Sequence, residues 1–554
     1  MAFALRFSTP WQAALCLFGC CAGMTVPAAQ GALESAPPAV TTSVTASVAV
    51  DQPGQQGPRS EAMVIPQRGE LNLTPRLLLQ MTLARNADAL YSRLAAEVSG
   101  HLAQSELGLF EVVAFGGVRH EDRERQRTAQ ERLAGSGLVP DLDEQVDIAE
   151  LGVRRRLRSG GELSLSYRLS GRDNNLIKDS TFSGGEDTEY DGALALTFKQ
   201  PLLRGFGRGV VEADRRIAEL EWAITKQQHK QQLLRTSSEA LAAYWQLYRA
   251  HESLRIREQA MRKADAALED IKARISSGRL SPRTIFEARS AVATRRAEVF
   301  RAEQNVSEAE AKIKNLLNLN DTEYAELRLL PILRADQATA RPAAPILGNA
   351  ERLEQALQHW PTYRIADLKR QQGLIRLDYA SNQKRPQLDL TASCSSTYLS
   401  YDFSHTAENV VKGDYPDCYL GFNMEIPLEG NLRAKSQHQA QYVRLYQSAL
   451  EIEAVRTSLA NDLELRTRQL ERVKKEVAEY QKDVELRQQL LDTERQQFQF
   501  GMSRLSQVIA RENELNAGHE SLLDSQARLE LAQVAVQVAD GSLFGNYAVE
   551  WRGD

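Results

Sequence analysis

Apolar residues recur at every seventh position through two long tracts of this chain. In the first, the row is Leu233, Ala240, Leu247, Leu254, Met261, Leu268 and Ile275; after Gly278 it resumes as Ile285, Val292, Val299, Val306 and Ile313. In the second it is Leu463, Leu470, Val477, Val484, Leu491 and Phe498, then, past Gly501, Val508, Leu515, Leu522, Leu529, Val536 and Leu543. A strict seven-residue period keeps one apolar seam against a partner helix only if the helices supercoil left-handedly. Each tract is therefore predicted to be an antiparallel coiled-coil hairpin that reverses at its glycine, with Gly278 and Pro282 in the first turn and Gly501 in the second. The first helix of each hairpin would run roughly 70 residues, on the order of 100 Å. No single core is that wide, so the hairpins must project.

Upstream of each hairpin the period changes to two. Leu163, Leu165, Tyr167 and Leu169 alternate with Glu162, Ser164, Ser166 and Arg168, and Gly160-Gly161 offers a turn back to Leu151–Val153. Tyr190, Leu194, Leu196 and Phe198 alternate with polar or small residues as far as Pro201. In the second half Leu388, Leu390, Ala392, Cys394 and Tyr398 share one face, as do Cys418, Leu420, Phe422, Met424 and Ile426 before Pro427. Such strands have one apolar and one polar face, which suits a half-buried sheet or a barrel with lipid outside and water inside. Pro201 and Pro427 suit strand-to-helix junctions, because proline cannot donate to a ladder but is tolerated at a helix start.

The order short helix, strands, long helix, turn, long helix thus occurs twice. The expected divisions are a first repeat over 71–319, a connector over 320–349, a second repeat over 350–544 and a tail over 545–554. Short helices are expected at Thr74–Gln104 and Ala350–Tyr379, the latter interrupted at Trp360-Pro361; Leu109–Phe115 is the first strand. The charged run His120–Arg127 reads as a solvated loop.

Charged residues make up 25% of the 554, and the net charge of −5 leaves no footprint for nucleic acid. The eight histidines are scattered, and no metal-ligand spacing, P-loop, nucleophile elbow or dinucleotide fingerprint occurs. Neither a cofactor nor an enzymatic activity is expected. At the N-terminus, Arg6 followed by the uncharged run Trp11–Met24 and by Val26-Pro27-Ala28 reads as a signal peptide, residues 1–28, cleaved after Ala28. The competing reading is a lipobox at Leu17–Cys20, which Phe18 fits poorly. Residues 29–70, rich in Ala, Pro, Val, Thr and Gln, read as a disordered tether.

These residues resemble the outer membrane efflux proteins, or TolC-like channels. The resemblance rests on the junction Phe198-Lys199-Gln200-Pro201-Leu202-Leu203-Arg204-Gly205, the turn Ser277-Gly278-Arg279-Leu280-Ser281-Pro282, its echo Phe500-Gly501-Met502-Ser503-Arg504-Leu505, and the duplication. It implies a membrane α/β fold with four strands per protomer in a shared trimeric β-barrel, above a periplasmic tunnel of coiled-coil hairpins. It implies a homotrimer in outer-membrane lipid, with a periplasmic adaptor protein and an inner-membrane pump or ABC exporter as partners. The function implied is a passive exit duct for efflux or type I secretion; the alternative is a non-channel structural coiled-coil protein of the envelope.

Some members of the family narrow the entrance with acidic residues six and nine positions after the second turn glycine. Here those positions hold Gln507 and Ala510, so the gate is not carried over; at the same offsets after Gly278 stand Thr284 and Glu287, and Glu287 is the nearest analogue. Its plainer reading is a solvated helix residue. Tyr244, Trp245 and Tyr248 read as core packing. The charged stretches around Arg466–Arg468 and Glu471–Lys475 read as solvated flanks, with adaptor docking as the alternative, and the terminal Arg552-Gly553-Asp554 reads as chance.

After removal of the leader, Cys394 and Cys418 would be the only cysteines. If their strands pair antiparallel about a loop centred near His405 and Thr406, Cys394 faces Cys418 and Leu390 faces Phe422. An oxidising compartment then favours a disulfide; the alternative is two free thiols packed as small apolar groups.

Overall fold

The computed structural model describes residues 66, 68–128, 141–175, 188–320, 322–332 and 349–547. The expected leader, most of the tether and of the connector, and the terminal Arg-Gly-Asp lie outside them.

The chain enters through strand β1 (Gly69–Leu73) and two short helices, α1 (Pro75–Arg85) and α2 (Ala87–Ser105). The single helix expected over Thr74–Gln104 is broken at Asn86. Its Oδ1 accepts from the backbone N–H groups of Asp88 and Ala89, and its Nδ2 donates to the Leu316 carbonyl 3.0 Å away. Asn86 thus caps α2 while tying it to a distant part of the chain.

Four strands follow: β2 (Val112–Gln126), β3 (Asp141–Arg156), β4 (Glu162–Asn174) and β5 (Thr188–Pro201). The first hairpin is α3 (Ala213–Ser276) and α4 (Thr284–Leu316), then β6 (Leu327–Pro331). The second half runs α5 (Asn349–His359), α6 (Pro361–Gln383), β7 (Gln387–Ser400), β8 (Pro416–Glu425), α7 (Leu432–Gln499) and α8 (Leu505–Ala539). Helices α3 and α7 contain 64 and 68 residues, hence lengths of about 96 and 102 Å. Every residue of the four heptad rows is buried or half-buried, as supercoiled seams require.

Both hairpins reverse through one motif. Gly278 (φ 72°) and Gly501 (φ 77°) lie in the left-handed region. The N–H of each glycine returns to the carbonyl three residues back, and the next N–H to the carbonyl five back. This is the Schellman arrangement, which satisfies the orphan carbonyls of a helix end and favours glycine because it has no Cβ.

The larger sheet is antiparallel, in the order β2-β3-β4-β5-β7-β8. It has six strands, two more than the four implied by the family resemblance, because the first half contributes two hairpins. The expectation of a loop at His120–Arg127 is corrected: β2 continues to Gln126, paired with β3 as far as Asp141. Alternation fails as a signal there because both faces are polar. Cross-strand polar contacts take its place, with His120 Nδ1 2.7 Å from Asp147 between β2 and β3, and Arg172 3.2 Å from Glu144 between β4 and β3.

The second sheet is the parallel pair β1-β6, which places the first strand against the connector expected to be irregular. Leu73, Leu78, Leu241, Tyr244, Leu247, Ile313, Leu317, Leu327, Leu329 and Leu543 pack there into the main apolar core. Trp245 belongs to the same cluster, with the Tyr244 and Tyr248 rings edge-on to it. The core therefore sits at a waist partway along the helices, below the larger sheet.

Candidate functional site: a two-faced sheet, its collar and the helical tips

The pairing register sorts the large sheet into two faces. Ala114, Val153, Leu165, Leu196, Cys394 and Cys418 stand side by side across all six strands. Neighbouring rows on the same face hold Val118, Leu151, Leu163, Phe198, Leu390, Leu420, Phe422 and Met424, and most of these side chains are exposed to a degree rare for such residues. The opposite face carries Arg154, Glu162, Ser164, Arg168, Thr197, Lys199, Asp389, Ser393 and Glu425. Its partners include Thr197 and Ser393, whose hydroxyls are 2.9 Å apart, and Lys199, 3.4 Å from Asp389. Water against the apolar face would be unfavourable over its whole area; hydrocarbon would not.

Above the apolar band the segment between β7 and β8 folds over the same face. Asp402 caps the turn Phe403–Asn409. The Tyr167 hydroxyl donates to the Ala407 carbonyl at 3.1 Å, and the Phe403 ring meets Tyr190 edge-on at 5.5 Å. Tyr398 and Tyr415 stack nearby at 6.2 Å. Aromatic rings with a polar tip gather where an apolar band meets water.

Among the described residues, β2 and β8 each pair along one side only, so the sheet has two open edges. Cys394 lies directly opposite Cys418, Cα atoms 4.1 Å apart, and the two are joined as a disulfide at that edge.

A collar joins sheet to helices. Pro201 ends β5, and Gly205 (φ 82°) and Gly207 (φ 101°) turn the chain into α3. Gly160 of the β3–β4 turn, also at positive φ, sits so near the Gly205 carbonyl that an added Cβ would come within 2.5 Å of it. Gln200 exchanges hydrogen bonds with Ser159, accepting from its hydroxyl and donating to its carbonyl. Asn382 accepts from the Gly205 N–H at 2.7 Å and donates to the Leu203 carbonyl. Beneath them the buried Glu212 carboxylate receives Arg215 at 2.8 Å and Arg208 at 2.9 Å, with Arg158 at 3.7 Å. The hydrogen bond from Arg215, ahead of that from Arg208, holds this carboxyl below its usual pKa against the opposing effect of burial. In the second half Pro427 follows β8, and Asn431, at φ 53°, caps α7 and donates to the Gln383 carbonyl. Asn382, Glu212 and Asn431 carried no periodic or motif signal, and Gln200 stood only as a member of the junction before Pro201.

At the tips Pro282 is exposed in the first turn. Glu287 is exposed in the first turn of α4, where it lines a cleft with Phe286, Ser506 and Asn513. Gln507 is exposed in the first turn of α8 and accepts from the Ser503 hydroxyl at 2.8 Å. Further up, ion pairs cross between the hairpins, Arg249–Asp524 at 2.5 Å and Arg257–Glu520 at 2.7 Å, and Arg257 also lies 4.0 Å from Glu298 within the first hairpin. Around Arg466–Lys475 the charges pair mostly within their own helix, as Arg466–Asp462 and Lys474–Glu471.

Residues 120–319, from the upper part of β2 to the end of the first hairpin, match the family model described as Outer membrane efflux protein. That match covers 200 of the 554 residues, so the likeness to outer membrane efflux proteins holds for this part of the chain. Solved structures share the fold over most of the chain. The outer membrane protein VceC of Vibrio cholerae is 14% identical, with a TM-score of 0.60 over 84% of this chain and 96% of that one. The Campylobacter jejuni CmeC outer membrane channel is 12% identical, with 0.59 over 85% and 86%. The Neisseria gonorrhoeae MtrE outer membrane channel is 12% identical, with 0.57 over 84% and 88%. No curated relative matches the sequence. These likenesses give the chain a TolC-like fold. Among its described residues no helix is long and apolar enough to cross a membrane.

Proposed function

We propose that this chain forms a passive exit duct through the outer membrane, as a homotrimer fed by an inner-membrane pump or ABC exporter through a periplasmic adaptor. The observation that carries the reading is the sheet itself: an exposed apolar face, a polar face behind it, and open edges at β2 and β8. An open edge in hydrocarbon leaves a row of unsatisfied N–H and C=O groups, each costing several kcal/mol. Closure by further copies removes that cost. Three copies of six strands give eighteen (3 × 6), in the range of barrels that enclose water. The polar face then lines the pore, and the hairpins extend it through the periplasm with their tips toward the pump. Glu287 and Gln507 stand near the entrance, and the turns at Gly278, Pro282 and Gly501 present the docking end. In this reading the duct is passive and selection of cargo falls to the transporter.

The test is assembly and conductance together. Protein extracted from membranes in mild detergent is expected to run as a trimer and to conduct ions in planar bilayers. A stable monomer with no conductance would return the chain to the structural coiled-coil reading.

A further inference from the structure

Cys394 and Cys418 face each other on β7 and β8 and are joined there. They are the only cysteines of residues 29–554. Both side chains stand on the apolar face. Leu196 lies directly beside Cys394, Ala392 and Leu420 form the row below, and Leu390 and Phe422 the row after that. The row above is Ser396 and Pro416, where the segment between the two strands folds back over the same face. There the Ser396 hydroxyl donates to the Val410 carbonyl at 2.7 Å, and Val410 is fully buried. With the apolar face in lipid, hydrocarbon flanks the pair and the folded segment roofs it.

A disulfide is hard to make in such a place. The attacking species is a thiolate, and it must meet a disulfide sulfur carried by a second molecule. In hydrocarbon a thiolate loses its hydration and finds no cation to replace it. A water-soluble disulfide reaches the pair neither from the side nor from above. In the unfolded chain both obstacles are absent. The two cysteines lie 24 residues apart, a loop that closes readily, and water surrounds them.

We infer that the bridge is made before the sheet enters the membrane, by exchange with a soluble protein disulfide of the periplasm, so that the chain in transit is the substrate of a dithiol–disulfide oxidoreductase. One cysteine, as thiolate, attacks a donor sulfur and forms a mixed disulfide, while the second donor sulfur leaves as thiolate. The other cysteine then attacks the sulfur on the chain side of the mixed disulfide. That closes the Cys394–Cys418 bond and frees the first donor sulfur. Two electrons pass to the donor, and the two protons lost by the cysteines end on its thiols. A protein donor is favoured over a small disulfide on grounds of rate. A thiol of ordinary pKa, about 8.5, is mostly protonated at neutral pH. Uncatalysed rearrangement takes minutes to hours, and an unpaired apolar strand is prone to aggregate throughout. Once closed, the bond fixes the register of β8, which among the described residues pairs with β7 alone. A slip of one residue would turn its apolar side chains to the other face. The inference rests on the reading that this face meets lipid and adds the order of events and the class of partner.

The test is pulse-labelling of cells that express the full chain, with acid quenching and alkylation of free thiols. The soluble periplasmic and outer-membrane fractions are then run separately on non-reducing gels. The bridge is expected in the soluble pool, before the heat-modifiable folded form appears. In cells lacking the periplasmic protein disulfide donor, bridging in that pool should slow by about tenfold or more and recover when cystine is added. Folded protein in membranes should resist a water-soluble phosphine reductant until urea unfolds it. Soluble chains with free thiols beside folded chains that are bridged would overturn the order of events. Undiminished bridging without the donor would overturn the partner, and equally fast reduction of folded and unfolded protein would overturn the shielding. Absence of any folded form from the outer membrane refutes the lipid reading beneath, whereas a folded membrane form bridged only after insertion refutes this inference alone.

Discussion

Leu196 and Ala195 are adjacent in β5, yet the register puts them on opposite faces of the sheet. Leu196 stands between Leu165 and Cys394 in the middle row of the apolar face and is 48% exposed; Ala195 faces the other way, between Ser166 and Ser395. Arginine at Leu196 would carry its guanidinium into hydrocarbon near the middle of the band. The cost on the lipid face of a barrel is about 2–4 kcal/mol at the midplane, hence roughly 6–12 kcal/mol for three copies. Arginine at Ala195 enters a water-filled space flanked by two serines, and its cost should stay within about 1 kcal/mol. The assay is outer-membrane fractionation with heat-modifiable gel mobility, which separates folded from unfolded barrel. Leu196→Arg should reduce folded protein at least tenfold and Ala195→Arg should leave it close to wild type. Equal yields, or the reverse order, would refute the assignment of faces.

Four further outcomes are expected. Gly501→Val forces a β-branched residue into the left-handed region at about 1–2 kcal/mol and should lower export in cells without lowering the amount of inserted barrel; unchanged export would show that the tip is not the docking end. Leu491→Ala empties a site packed by Val508 and Leu515, so urea unfolding of the helical part should show a loss of about 2–5 kcal/mol, and a smaller one would mean that the seam is loose. Mass spectrometry of non-reduced, alkylated protein should find Cys394 and Cys418 joined, and two alkylated thiols would remove the bond. The Glu212 carboxyl has a folded pKa below its ordinary value of 4.5, so its contribution is fully present above about pH 4.5 and is lost as pH falls through the lower folded value. Glu212→Gln should therefore unfold earlier than wild type at pH 7, with the gap narrowing toward pH 3; a gap that persists in acid would mean that the clamp acts by shape alone.

Periodicity made the hairpins and most of the sheet legible. A seven-residue row or a two-residue alternation survives wherever one face is buried and the other wet, as at Leu233–Ile313 and Leu163–Leu169. It failed where both faces are alike. His120–Gln126 is strand because a neighbouring strand offers ladder bonds and polar partners. Strands β1 and β6 were missed because each has five residues and its partner lies some 250 positions away in sequence. The collar was hidden for another reason. Gln200 and Asn382 act through hydrogen bonds to distant segments and Glu212 through a cluster of arginines, and no periodic pattern along the chain encodes such contacts. The prolines and glycines at positions 201, 205, 278, 427 and 501 were readable because each constrains its own backbone.

The most direct test of the central claim is whether the polar face is the wall of a conducting pore. Single cysteines at Ala195 and, separately, at Leu196 can be challenged with a bulky, charged, membrane-impermeant thiol reagent while current is recorded across a planar bilayer. With the channel open, modification of Ala195→Cys should lower the conductance in as many as three steps, one per copy, while Leu196→Cys should leave it unchanged. A block at Leu196→Cys with none at Ala195→Cys, or no current to block, would contradict the account.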